Sequence, residues 1–196
     1  MENNVDRRVK KTKSALKDAY INLVEQYSEK EITVSMVTQN ADVNRATFYL
    51  HYSNKAEFLE EILYDVLEGL KESILFPFQN EQKINVNKLT PTTERIFQYI
   101  ENNNRIFYAL NIGHTHFKKE LELLFYTIFS KEISIETNPS FGDLNYDIFL
   151  HYQTNATLGL ILYWIESKFH YSASYMMDQL TIISNTQIVN LNKNIH

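Results

Sequence analysis

Apolar positions recur at three- and four-residue intervals along most of the chain, and breaks in that rhythm divide it into about nine helical segments. Arg7 to Tyr27 comes first, with Val9, Leu16, Ala19, Tyr20, Leu23, Val24 and Tyr27 on one side. A bend at Ile32 follows, and the Thr33 hydroxyl is placed to cap a short helix from Val34 to Ala41. Val34, Val37 and Ala41 lie on its inner face. Asp42 and Val43 make a turn, and Asn44 caps a second short helix from Arg45 to His51. Asn54 and Glu57 read as a capping box for a long helix from Lys55 to Leu75, ended by Pro77. Phe58, Leu59, Ile62, Leu63, Val66, Leu67 and Leu70 line it.

Beyond residue 75 the pattern is less even. "QNEQKINVNKLT", residues 79–90, is polar and reads as a loop. Thr90 and Pro91 start a helix carrying Ile96, Phe97, Tyr99 and Ile100, which "ENNN" ends at residues 101–104. A short helix from Arg105 to Asn111 precedes a break at Gly113. His116 to Ile133 resumes the period with Phe117, Leu121, Leu124, Phe125, Ile128 and Phe129. After the turn "ETNPSFGD", residues 136–143, Leu144 to Phe169 is apolar on several sides. Ser172 opens a last helix to about Leu191, with Met176, Leu180, Ile183, Ile188 and Leu191. No repeat is evident and strand signals are short, so the expected fold is all-α.

Composition supports that reading and narrows the chemistry. Four Gly and three Pro in 196 residues suit helices. With no Cys, disulfides, thiolate catalysis and zinc fingers are excluded. No run reaches the roughly 18 uncharged apolar residues of a membrane span, and Gly159 to Ile165 is too short. The N-terminus is polar, so a cytoplasmic location is expected. Net charge is −5, unevenly spread: up to residue 55 there are nine basic and seven acidic residues, and beyond it ten and seventeen. Arg7, Arg8, Lys10, Lys11 and Lys13 crowd the start of the first helix, against its dipole. An anionic partner explains them; a solvated charge run is the plainer account.

Two short helices joined tightly and braced by longer ones form a helix-turn-helix unit, whose second helix presents its N-terminal end to the major groove. Here that end is Arg45, Ala46 and Thr47. Arg45 can donate twice to guanine, and Thr47 can bond a base edge or pack on a thymine methyl. Phe48 turns inward. Thr33, Tyr49, His51 and Lys55 are placed to meet phosphates. On pattern alone, ordinary packing of aromatics and solvated polar groups stays open.

"ITVSMVTQNADVNRATFYLHYSNKAEFLEEI", Ile32 to Ile62, resembles the DNA-binding domain of the TetR/AcrR family of transcriptional regulators, and the "TFY.HY..K" string from Thr47 carries most of that likeness. The resemblance reaches back to about residue 7. It implies a TetR-like fold, with residues 1–54 as the helix-turn-helix domain and 55–196 as the regulatory and dimerisation domain. It implies base contacts by Arg45, Ala46 and Thr47, and phosphate contacts by Thr33, Tyr49, His51 and Lys55. Two positions depart from the family pattern: Asp42 stands where Gly is common, and Leu50 where a polar or basic residue is common. Asp reaches positive φ at some cost and brings a negative charge near DNA. From Gly159 to Leu180 the chain resembles the subgroup that includes activators of dihydroxyacetone-kinase operons, over a short match.

In that family the last two helices pair with their copies, which implies a homodimer interface at Ala156, Gly159, Leu160, Tyr163, Trp164, Leu180, Ile183 and Ile188. The alternative is that these residues fill the monomer core. Phe97, Tyr108, His116, Phe125, Tyr126, Tyr152 and Asn155 could line a small-molecule effector cavity, although such aromatics are more often ordinary core. His114 and His116 invite a metal reading, with His151 as a third candidate. Two residues apart on a continuous helix they would not face together, so no metal and no cofactor is expected. Phosphate loops, nucleophile elbows and metalloprotease helices are missing, and Glu60, Glu61, Glu120 and Glu122 read as solvated faces, so an enzyme is not expected. The expected function is a ligand-responsive homodimer that binds a double-stranded DNA operator, with repression the usual family outcome. An activator or a protein-binding adaptor is the alternative.

Overall fold

The caps and breaks are realised as nine α-helices among the residues that the computed structural model describes, 2–78, 89–132 and 144–185. They are α1 (Glu2–Val24), α2 (Val34–Asn40), α3 (Arg45–Tyr49), α4 (Lys55–Leu75), α5 (Leu89–Asn102), α6 (Asn104–Gly113), α7 (Phe117–Thr127), α8 (Tyr146–Glu166) and α9 (Ala173–Asn185). A 3-10 turn at Glu29–Glu31 precedes α2, another at Phe76–Phe78 ends α4 at Pro77, and a π turn at Ile128–Glu132 prolongs α7. No strand occurs among the described residues. The expected turn at 136–143, most of the polar stretch 79–90, and Ile188 and Leu191 lie outside them.

Local chemistry sets the helix starts. Thr33 Oγ1 accepts the Met36 amide at 3.3 Å, Asn44 Oδ1 the Ala46 amide at 2.8 Å, and Asn54 Oδ1 the Glu57 amide at 3.0 Å. The Glu57 carboxylate accepts from the Ser53 amide at 2.7 Å, one residue earlier than a capping box requires. α1 begins before Arg7 and stops at Val24, short of the expected Tyr27.

α1, α2 and α3 pack in sequence as a three-helix head. Phe48 is fully buried at its centre, with Tyr52 at 5.2 Å and Phe58 at 5.6 Å between ring centroids. Burying such a ring contributes about 1.5–3 kcal/mol and fixes the angle of the short α3. In the body, α5 packs on α4 and α9, α6 on α1 and α8, and α7 on α4 and α8. α4 therefore belongs to both. Gly69 lets α5 come close: a Cβ there would strike Tyr99, whose hydroxyl donates to the Val66 carbonyl at 3.1 Å.

α8 resolves its ambiguous apolar surface into two faces. Leu150, Thr154, Leu158, Ile161, Trp164 and Ile165 turn inward. Trp164 is fully buried, donates to the Tyr171 carbonyl at 2.8 Å and meets Phe97 edge-on at 5.5 Å. Ile148, Tyr152, Ala156, Gly159 and Tyr163 share the exposed face. No helix among the described residues is long and apolar enough to cross a membrane.

Candidate nucleic-acid interface

The N-terminal end of α3 is an open edge of the head. Arg45 and Ala46 are exposed and Thr47 is half-buried. Arg45 Nη2 lies 3.3 Å from the Tyr49 hydroxyl, and the guanidinium sits 5.5 Å from the Tyr49 ring centroid. The pair aligns a planar five-donor group beside a phenol, with both groups open to solvent. Thr33 spends an acceptor lone pair on its cap and keeps its O–H for an outside acceptor. His51 is half-buried beside the Tyr52 ring. Leu50 is 80% exposed, an apolar side chain at the edge of this surface.

Asp42 adopts φ 53°, the left-handed geometry that the turn between α2 and α3 requires. The turn is closed by the Val43 amide on the Thr38 carbonyl at 2.9 Å.

Lys55 occupies a different setting from the other expected phosphate contacts. Its ammonium donates to the carbonyls of Glu29 at 3.0 Å and Ile32 at 2.9 Å, and pairs with the Glu29 carboxylate at 2.7 Å. These three contacts use its three donor hydrogens. Lys55 thereby ties the start of α4 to the bend before α2 and presents no spare donor to a phosphate in this arrangement. The bend carbonyls gave no local signal in the sequence, because their partner is more than twenty residues away.

A second tie was also beyond the reach of pattern. Glu61, expected to be solvated, receives Lys13 at 2.6 Å and the Tyr52 hydroxyl at 2.7 Å, which joins α1, the end of the head and α4. Burial pushes the Glu61 carboxyl up, but its bonds from Lys13 and Tyr52 outweigh that and hold its pKa below the ordinary carboxylate value. Desolvation and the Glu61 bond push the Tyr52 phenol up. Within the basic cluster of α1, Lys13 is thus engaged, while Arg7, Arg8 and Lys11 are exposed.

Among the described residues, those expected to line an effector cavity stand in separate settings. Phe97 and Phe125 are fully buried in packed core, Phe97 against Trp164 and Phe125 stacked on Phe129. Tyr126 donates to Asp147 at 2.9 Å and stacks on His151 at 4.7 Å. Tyr152 is 70% exposed and Asn155 is exposed, both on α8. Tyr108 lines an open cavity of about 450 Å³ with Arg105, Lys168 and Phe169. A further groove of about 290 Å³ runs between α4 and α7, with Leu63, Leu67, Leu123 and Leu124 in its walls and Glu60, Glu68 and Glu120 among its polar groups. His116, at the α6–α7 corner, is not in the wall of either, although its ring comes close to Glu60.

Of the expected dimer residues, Ala156, Gly159, Tyr163 and Ile183 are exposed, while Leu160 and Leu180 are half-buried. Trp164 points into the core, and Ile188 is outside the described residues. Among the described residues, nothing beyond its own helix's backbone and chain neighbours lies within 4 Å of where a Gly159 Cβ would stand.

Residues 87–186 match the family described as "Transcriptional regulator C-terminal region", TetR_C_8. That match falls on the body, whereas the resemblance read from the sequence falls mainly on the head, so the two are independent. A curated relative, the uncharacterized HTH-type transcriptional regulator YxbF of Bacillus subtilis (strain 168), is 24% identical over 151 residues, covering 76% of this chain and 38% of that protein. The chain thus spans well under half the length of the curated relative it matches. Among solved structures, a TetR transcriptional regulator from Streptococcus agalactiae 2603V has TM-score 0.61 at 22% identity, over 93% of this chain and 99% of that one. The fatty acid degradation regulator FadR from Bacillus halodurans has TM-score 0.61 at 12% identity, over 89% and 95%. The dihydroxyacetone kinase operon activator DhaS has TM-score 0.59 at 18% identity, over 88% and 93%. At these identities the likeness is one of fold.

Proposed function

The chain belongs to the TetR family of transcriptional regulators, and we propose that it is a cytoplasmic, homodimeric, ligand-responsive repressor that binds a specific double-stranded DNA operator. Membership sets aside an enzyme. Residues 1–54 act as the DNA-binding unit and 55–196 as the regulatory and dimerisation unit.

The observation that carries this reading is the end of α3, where Arg45 and Tyr49 stand side by side, open to solvent, on a helix held by the buried Phe48. Arg45 and Thr47 read base edges, and Ala46 allows close approach to them. Thr33, Tyr49 and His51 donate to phosphates, and Lys55 holds the bend from which Thr33 projects.

A homodimer supplies two such helices to two half-sites. The exposed face of α8, Ile148, Tyr152, Ala156, Gly159 and Tyr163, supports that assembly. Gly in a helix interior costs about 1 kcal/mol relative to Ala, and Gly159 has no close neighbour among the described residues to explain it. A second copy packed on that face does explain it. An effector acts by favouring one position of α4, and so one separation of the two recognition helices.

Selection from random duplexes, followed by titration at several salt concentrations, tests the reading. A recovered consensus with two half-sites, and affinity falling as salt rises, is the expected result. If no sequence is enriched at low salt, the regulator reading is wrong. A reporter driven through the recovered operator then fixes the sign, with repression expected; activation would align the chain with the activator subgroup that Gly159 to Leu180 resembles.

A further inference from the structure

Three side chains from three elements converge where α4 passes the α6–α7 corner. Glu60 comes from the second turn of α4, His114 caps the end of α6, and His116 caps the start of α7. The chain turns between the two imidazoles, so the continuous helix that would have kept them apart does not exist. One ligand atom from each of the three residues lies within 4.8 Å of the other two.

One edge, Glu60 Oε1 to His114 Nε2, is 3.4 Å. That is long for a charge-assisted hydrogen bond. Two ligands each about 2.0–2.1 Å from one tetrahedral ion stand about 3.4 Å apart. His116 is exposed, stands at the cap of α7 outside the helix interior and makes no capping bond with its side chain, so its ring is not held by the helix.

We propose that Glu60, His114 and His116 bind a divalent first-row transition-metal ion of the zinc, cobalt or nickel type. Two imidazoles and one carboxylate suit such an ion. The set has too few oxygens for calcium or magnesium and no thiolate for copper(I). Three protein ligands leave a fourth position for water or a small anion. His114 Nδ1 accepts the His116 amide at 3.3 Å, so the ring proton sits on Nε2, facing Glu60. On metal binding through Nε2 that proton moves to Nδ1. The imidazole stays neutral, and the long bond from the His116 amide is exchanged for a metal bond.

The same stretch of α4 carries the head, since Lys55 holds the bend before α2 and Glu61 holds α1. An ion joining Glu60 to the ends of α6 and α7 fixes the head against the body. Binding itself follows from the geometry; its effect on DNA rests on the regulator reading.

The test uses the full, tag-free chain, stripped by chelator and titrated with cobalt(II), with visible d–d absorption as the readout and zinc as competitor. One equivalent per chain with tetrahedral-type bands, displaced by zinc, is expected. Glu60→Gln and His116→Gln, both at exposed side chains, each weaken binding by about 10–100-fold or more. His114→Asn does the same, read alongside circular dichroism to confirm folding. Absence of saturable binding, or full affinity in the Glu60→Gln/His116→Gln double variant, overturns the site. Operator titration with and without zinc is scored separately. Metal binding with unchanged operator affinity overturns the regulatory consequence, and metal binding with no operator binding overturns the regulator reading while the site stands.

Discussion

Asp42 holds φ 53° in a turn where a residue without a Cβ would meet no steric resistance. Asp42→Gly should raise the unfolding free energy by up to about 1 kcal/mol, part of the relief being offset by the greater freedom of Gly in the unfolded chain. It should also tighten operator binding, because a carboxylate near the phosphates is removed. Urea denaturation and an operator titration read the two effects apart. Arg45 and Lys55 separate in a similar way. Arg45→Ala should cost about 1–3 kcal/mol of discrimination at one base pair, with stability unchanged. Lys55→Ala leaves the Glu29 and Ile32 carbonyls without their donor, so it should lower stability by about 1–3 kcal/mol and leave the salt slope of binding unaltered. A reduced slope with full stability would return Lys55 to the phosphate role. The caps by Thr33, Asn44 and Asn54 and the inward Phe48 were legible in the sequence because donor and acceptor lie within four residues. The settings of Lys55 and Glu61 were not, since each depends on a partner tens of residues away.

Between elements, the Lys13–Glu61–Tyr52 tie sets how α1 meets α4. Glu61 has a folded pKa below its ordinary value of 4.5. Its stabilising contribution is therefore complete above that value and is lost as pH falls through the lowered folded one. Glu61→Gln should destabilise the protein by on the order of 1 kcal/mol at neutral pH, a figure kept small because the side chain is partly solvated. The gap from the parent protein should close as the medium is acidified below the carboxylate range. Thermal melts across pH measure this, and a gap constant with pH would show that the carboxylate charge is not what matters. α8 shows the limit of pattern at this scale. Its apolar residues lie on all sides, so the period could not tell inside from outside. Trp164, expected at the surface between copies, is core, and Tyr152, expected in a cavity, is exposed.

At the level of the whole molecule, the all-α architecture and the order of its helices were legible because helix periods and breaks are local. The positions of the cavities were not, because they arise where helices distant in sequence happen to leave space. The exposed face of α8 predicts the assembly. Gly159→Trp and Tyr152→Glu should each convert a dimer to monomer in sedimentation, with far-UV circular dichroism unchanged. Operator affinity should fall with dimerisation, since one recognition helix no longer positions the other. A variant that stays dimeric would move the interface elsewhere.

Tyr20 and Gly113 meet where α1 passes beneath the end of α6, fitted so closely that a Cβ on Gly113 would collide with the phenol. The Tyr20 oxygen is buried there with no hydrogen-bond partner among the described residues. Contact of that kind sets the spacing of α1 and α6 but adds no hydrogen bond between them. Their register is held further along, where Arg105 donates to Glu25 at 2.9 Å and to Asn22 at 2.7 Å, so spacer and latch together dock the head on the body close to His114.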